Sequence, residues 1–168
     1  MKTNTKTGIA WCYGDNINTD LIYPGRYLAI TSPSEMAKNA MADVDPKFGK
    51  NVQVGDIIVA GANFGSGSSR EQAVMCLKFA GIAAIIAESF ARIFYRNAIN
   101  QGLPALICPN ATSVVKTGDK IELDMHIGVL MNLNTGKKIS CKPMPEFLLE
   151  IVNHGGIIQH LKRRFDLD

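Results

Sequence analysis

The sequence predicts an α/β fold in one domain over residues 1–168: a central, mostly parallel sheet or mixed barrel flanked by helices, with an added β meander. Three observations point there. Apolar runs at residues 56–60, 82–87 and 104–108 read as buried strands, with helix-period segments between them. After Pro109 the pattern turns to short strands split by the turn signals Gly118-Asp119 and Asn134-Thr135-Gly136. Hydrophobic residues make up 46% and charged residues 20%, enough to build a core and too apolar for a disordered chain.

The elements follow in order. Residues 7–12, Thr-Gly-Ile-Ala-Trp-Cys, form a first strand. Gly14-Asp15-Asn16-Ile17-Asn18-Thr19-Asp20 is polar and turn-rich, because Asp, Asn and Thr bond their own backbone in compact turns; Thr19 and Asp20 are read as turn formers. Residues 21–30 are an apolar loop broken by Pro24-Gly25. Ser32-Pro33 opens a helix that runs to Met41, with Pro33 suited to the first turn, and residues 45–50 are loop. The strand at 56–60 leads through a glycine-rich loop into a helix at about 69–79, ended by Gly81. After the strand at 82–87, Ser89 is the expected N-cap of a helix at 90–100 that Gly102 ends. Strand–helix alternation favours parallel pairing. Strands at 120–125, 128–132 and 138–141 form the meander, and helices at 145–153 and 157–165 close the chain.

Composition excludes several functions. The net charge is only +3 and no basic face carries interleaved aromatics, so nucleic acid is not an expected partner. Lys162-Arg163-Arg164 reads as a solvated helix end. No apolar run reaches the roughly 18–20 residues that span a bilayer, and no apolar segment follows Lys2 and Lys6 as in a secretory signal, so a cytoplasmic location is expected. Cys12, Cys76, Cys108 and Cys141 lie far apart without a Cys-x-x-Cys pair and read as buried free thiols. No metal or iron–sulfur cluster is expected on this chain. His126, His154 and His160 share no ligand spacing and read as surface or cap residues.

The chemistry concentrates in Gly61-Ala62-Asn63-Phe64-Gly65-Ser66-Gly67-Ser68-Ser69-Arg70-Glu71-Gln72, where a strand, a glycine-rich turn and a helix start meet. Unpaired first-turn N–H groups and the positive end of the helix dipole favour an anion there. Ser68 and Ser69 add hydroxyls and Arg70 a fixed cation. Ser68-Ser69-Arg70-Glu71 also matches a capping box, an ordinary structural reading that competes with the functional one. The loop lacks the lysine of a P-loop and the dinucleotide fingerprint. A serine base needs its alkoxide stabilised. A helix end supplies about 0.3–1 kcal/mol, against about 1.4 kcal/mol per pKa unit, so Arg70 and oriented donors must supply more. A leaving hydroxide further needs a Lewis acid, for which this chain shows no ligand set; a second chain has to bring it.

The loop at 61–73, the segment Gly14-Asp15-Asn16-Ile17-Asn18-Thr19-Asp20 and the stretch Ser89-Phe90-Ala91-Arg92-Ile93-Phe94-Tyr95-Arg96-Asn97-Ala98 together resemble the small subunits of 3-isopropylmalate dehydratase, the free-standing counterparts of the aconitase swivel domain. The resemblance covers about residues 8–165 and implies an aconitase-type swivelling β/β/α domain. It implies a large subunit that carries a [4Fe–4S] cluster, in a heterodimer or heterotetramer, and a small dicarboxylate substrate. By resemblance Ser68 is the catalytic base, Arg70 holds a substrate carboxylate, and Ser69 and Gly67 help bind substrate. Tyr27-Leu28-Ala29-Ile30 matches the loop that faces the substrate's variable substituent, where relatives acting on a second polar group place an arginine. The apolar Ala29 and Ile30 suit an alkyl group and leave a third carboxylate unpaired, so isopropylmalate fits better than citrate or homocitrate. A different alkylmalate such as dimethylmalate remains open, with Arg26 as an alternative cation for that position. Arg92 and Arg96, four apart on one helix, are either subunit contacts, carboxylate anchors or a solvated face.

Overall fold

Strand β1 (Thr5–Cys12) enters the sheet with its two halves bonded to opposite sides of the fold. The computed structural model describes residues 4–167. Met1, Lys2 and Thr3, on which the expectation of no secretory signal partly rests, lie outside the described residues, as does Asp168.

After β1 come two short helices, α1 (Thr19–Ile22) and, beyond a 3₁₀ turn at Gly25–Tyr27, α2 (Pro33–Lys38). A further turn of helix, α3 (Phe48–Asn51), lies where the sequence suggests loop; Phe48 is fully buried there, against Trp11, with ring centroids 5.1 Å apart. Strand β2 (Ile57–Ala60), helix α4 (Glu71–Phe79), strand β3 (Ala84–Ala87), helix α5 (Arg92–Asn100) and strand β4 (Ala105–Ile107) then alternate. Helix α6 (Ala111–Val114) precedes strands β5 (Lys120–Asp124), β6 (Val129–Asn132) and β7 (Lys138–Ser140), and helices α7 (Glu146–Asn153) and α8 (Ile157–Arg164) end the chain.

The strands form one sheet in the order β4-β3-β2-β1-β5-β6-β7. Pairing is parallel from β1 to β4, as the strand–helix alternation requires, and antiparallel through the meander. Residues 10–12 of β1 pair in parallel with β2, and residues 5–9 pair antiparallel with β5. The sheet curls until its ends meet: Lys142, just past β7, donates its N–H to the carbonyl of Ile107 in β4 at 2.8 Å. The mixed-barrel alternative read from the sequence therefore describes the sheet.

Alternation along each strand fills two cores. Ile58, Ala60, Ile85 and Ala87 face one layer with Val74 and Leu77 of α4 and Phe94 of α5. Ile57, Val59, Ala84 and Ile86 face the other with Ile121, Leu123 and Leu130 of the meander and Leu149 of α7. Asp56, buried at the start of β2, accepts from Trp11 Nε1 at 2.8 Å and from the Gln53 N–H at 2.9 Å. No helix among the described residues is long and apolar enough to cross a membrane.

Candidate functional site

Because β1, β2 and β3 run parallel, their carboxyl ends open on one edge, and the segments that leave them meet there. The turn after β1 and the glycine-rich loop after β2 are joined along their length. Gly61 N–H donates to Gly14 O at 3.1 Å, Asn16 N–H to Ala62 O at 2.8 Å, Gly65 N–H to Ile17 O at 2.8 Å and Thr19 N–H to Ser66 O at 2.8 Å. The Asp15 carboxylate accepts from the Ala62 N–H at 2.7 Å. The segment after β3 joins from the other side: Phe64 N–H donates to Ser89 O at 3.0 Å, and Ala91 N–H donates to Phe64 O at 2.9 Å.

This packing, more than ligand approach, explains the glycines. A Cβ on Gly65 would stand 2.1 Å from Cγ of Phe94, and its φ is +80°. A Cβ on Gly61 would stand 2.0 Å from the Asp15 carboxylate. Gly67 has φ +94° and its Cβ position lies 3.3 Å from the Thr19 hydroxyl.

Thr19, Gly65, Gly67, Ser68, Ser69 and Arg70 line a cavity of about 270 Å³ together with the start of α5, where Arg92, Ile93 and Asn97 face them. Ser68 and Ser69 are exposed to solvent; Arg70 is half-buried. The buried Thr19 donates its hydroxyl to the carbonyl of Ser68 at 2.9 Å. Asp20 pairs with Arg70, and Arg70 Nη1 also reaches the Tyr23 carbonyl at 3.5 Å. Thr19 and Asp20 thus brace the loop, a role that turn chemistry alone does not reveal.

Two expected caps are not formed. Helix α4 starts at Glu71 with Arg70 as an extended N-cap and no side-chain cap bond, so Ser68-Ser69-Arg70-Glu71 is not a capping box. Bonds from Thr19 to the carbonyls of Ser66 and Ser68 hold the loop ahead of the helix. Ser68 accordingly stands two residues before the N-cap, and the helix dipole acts on it less than a capping position would. Ser89 likewise does not cap α5, whose N-cap is Ala91; its hydroxyl accepts from the Asn63 N–H at 2.8 Å instead.

Tyr27, Leu28, Ala29 and Ile30 do not line this cavity. They connect to it through Tyr23, whose hydroxyl donates to Tyr27 O at 2.9 Å while its carbonyl faces Arg70. Leu28 and Ala29 are exposed, and Tyr27 and Ile30 pack on the core. Arg26 is turned to Asp43 through two bonds of 2.6 and 3.0 Å and lies over the Tyr27 ring.

The thiols do not fit a cluster. Cys76 lies in one core layer and Cys108 and Cys141 in the other, with Cys12 packed at its margin. No three of His, Cys, Asp and Glu converge among the described residues. The histidines are less scattered than their spacing suggests: His154 stacks on His160, with Nδ1 atoms 3.0 Å apart, beside Glu150 and Arg163.

Residues 12–111 match the model of the family described as the aconitase C-terminal domain. The chain is 50% identical to "3-isopropylmalate dehydratase small subunit 1" of Methanopyrus kandleri, over 93% of this chain and 92% of that protein. It is 50% identical to the "isopropylmalate/citramalate isomerase small subunit" of Methanocaldococcus jannaschii, over 94% of each. A crystal structure of a 3-isopropylmalate dehydratase from Methanocaldococcus jannaschii superposes with a TM-score of 0.91 at 46% identity, covering 96% of this chain and 95% of that one.

Proposed function

The chain belongs to the aconitase C-terminal domain family, among the small subunits of 3-isopropylmalate dehydratase, and from that premise we propose that it isomerises 2-isopropylmalate to 3-isopropylmalate by dehydration and rehydration. It does so in complex with a large subunit that carries the [4Fe–4S] cluster, a reading supported by its likeness to dehydratase small subunits.

The observation that carries this reading is the convergence of Ser68, Ser69 and Arg70 on one cavity, braced by Thr19 and Asp20. Ser68 Oγ takes the proton from the carbon beside a substrate carboxylate and returns it to the neighbouring carbon as the hydroxyl changes places with it. Arg70 holds that carboxylate, for which a planar guanidinium is suited, and stabilises the charge that builds as the proton leaves. Ser69 and the Gly67 backbone orient the same end of the substrate. The Tyr27–Ile30 loop, linked to Arg70 through Tyr23, accepts the alkyl group with Ala29 and Ile30.

Mixing the chain with its large subunit and following turnover of 2-isopropylmalate tests the proposal. Ser68→Ala should abolish turnover while the complex still assembles; unchanged turnover removes Ser68 from its role. A second reading, a smaller alkylmalate such as citramalate, is favoured by the name of the Methanocaldococcus jannaschii relative. The ratio of kcat/KM for the two substrates separates them.

A further inference from the structure

The seam where the curled sheet meets itself carries two cysteines. Lys142 donates its N–H to Ile107 O at 2.8 Å, and the Cys108 thiol reaches Ser140 O at 3.7 Å. As one segment advances from 107 to 108, the other therefore steps back from 142 toward 140, which is antiparallel register and sets Cys108 opposite Cys141. Residues that face each other in such a register have neighbouring side chains, and here the two thiols are within hydrogen-bonding reach of one another. Both thiols are free in this structure and buried in the same core layer.

The geometry points to Cys108 and Cys141 as an oxidisable dithiol that hydrogen peroxide converts to a disulfide across the seam of the sheet. The Cys108 sulfur attacks one peroxide oxygen, the O–O bond breaks, and water leaves with the thiol proton, giving a sulfenic acid. The Cys141 sulfur then displaces the hydroxyl of that sulfenic acid; the S–S bond forms and a second water leaves. Two hydrogens and two electrons pass to one peroxide.

The surroundings select this pair. Cys141 donates to Cys108, which holds the Cys108 thiol below its usual range and pushes Cys141 above it. A lowered thiol is the one that attacks, and its neighbour is the one that resolves. The other two thiols each face a backbone carbonyl, Cys12 that of Val115 and Cys76 that of Ala73, and burial raises both. A cavity of about 630 Å³ lined by Ile107, Lys142, Pro143 and Met144, the chain neighbours of the two cysteines, opens beside the seam; the thiols themselves are 0% and 7% exposed and lie behind its wall. The bond would tie the end of β4 to the segment after β7, closing a loop that contains α6 and the whole meander.

The test is peroxide treatment of the full chain, then alkylation of the remaining thiols in denaturant and mass spectrometry. Before alkylation the mass should fall by two hydrogens. Two of the four cysteines, Cys12 and Cys76, should take label, and a peptide linking Cys108 to Cys141 should appear and vanish with dithiothreitol. The oxidised chain should melt at a higher temperature than the reduced one. Cys141→Ser should remove the link and let Cys108 proceed to the sulfinic acid. Four labelled thiols after exposure that oxidises free cysteine in the same tube, or a linked peptide joining any other pair, would overturn the assignment. The link is read on the unsubstituted chain, so a folding defect in the serine variant leaves the outcome decided.

Discussion

Asp20 and Arg70 form the ion pair that fastens the glycine-rich loop to the turn after β1. The Asp20 side chain is 63% exposed and that of Arg70 21%, so the pair contributes at most about 1 kcal/mol to stability. Its consequence is orientation: the guanidinium is held at the cavity wall, ready for the carboxylate that the proposed function assigns to it.

Asp20→Asn should therefore leave the melting temperature nearly unchanged and weaken substrate binding. With the large subunit present, KM should rise by roughly tenfold, equal to about 1.4 kcal/mol. Steady-state kinetics beside a thermal melt checks both halves.

Thr19→Val removes the donor to Ser68 O while keeping the shape of the side chain. The loss of one neutral hydrogen bond costs about 1 kcal/mol. The larger effect should fall on kcat, because the loop then keeps only the Thr19 N–H bond to Ser66 O and holds Ser68 less firmly, and Thr19→Ser should restore it.

Gly65→Ala should be among the most damaging single changes in the loop. The added carbon meets Phe94 inside the Phe64–Phe90–Phe94 cluster, and φ of +80° is strained for alanine. A loss of about 1–3 kcal/mol is expected from strain alone. Chemical denaturation measures it, and Gly14→Ala, with nothing within 4 Å of its Cβ, is the control.

How far the sequence reveals this molecule depends on the range of each interaction. Strands β2, β3 and β4 are legible because burial on both faces writes an unbroken apolar run. That the loop after β2 borders a cavity is legible from its glycines, serines and arginine. The brace is not, because Thr19 is forty-nine positions from Ser68 and its residue type is equally at home in a turn. The two misplaced caps have the same cause: Ser68 and Ser89 look like local helix starters until partners from other segments take their groups. Phe48 is misread as loop because its helix is a single turn, too short to show a period.

Stability should also respond to alkaline pH in a defined window. Burial raises the Cys12 thiol from 9.0 to about 11, and burial next to Asp45 raises the Tyr13 hydroxyl. Both groups are neutral when protonated, so the unfolded chain releases their protons first. Their contribution is complete below pH 9, and for Cys12 it disappears as pH rises to about 11. Denaturation midpoints should be flat through neutrality and fall across that interval, less steeply in Cys12→Ser.

Strand β1 bonds forward to β2 through its last residues and backward to β5 through its first. It is synthesised before either neighbour, and β5 emerges only after the entire βαβα segment has left the ribosome. A nascent chain can therefore zip together its parallel half while the leading residues of β1 still present a bare edge, a hazard that ends when the meander arrives. Stalling translation between β4 and β5 should yield an intermediate that self-associates through that edge.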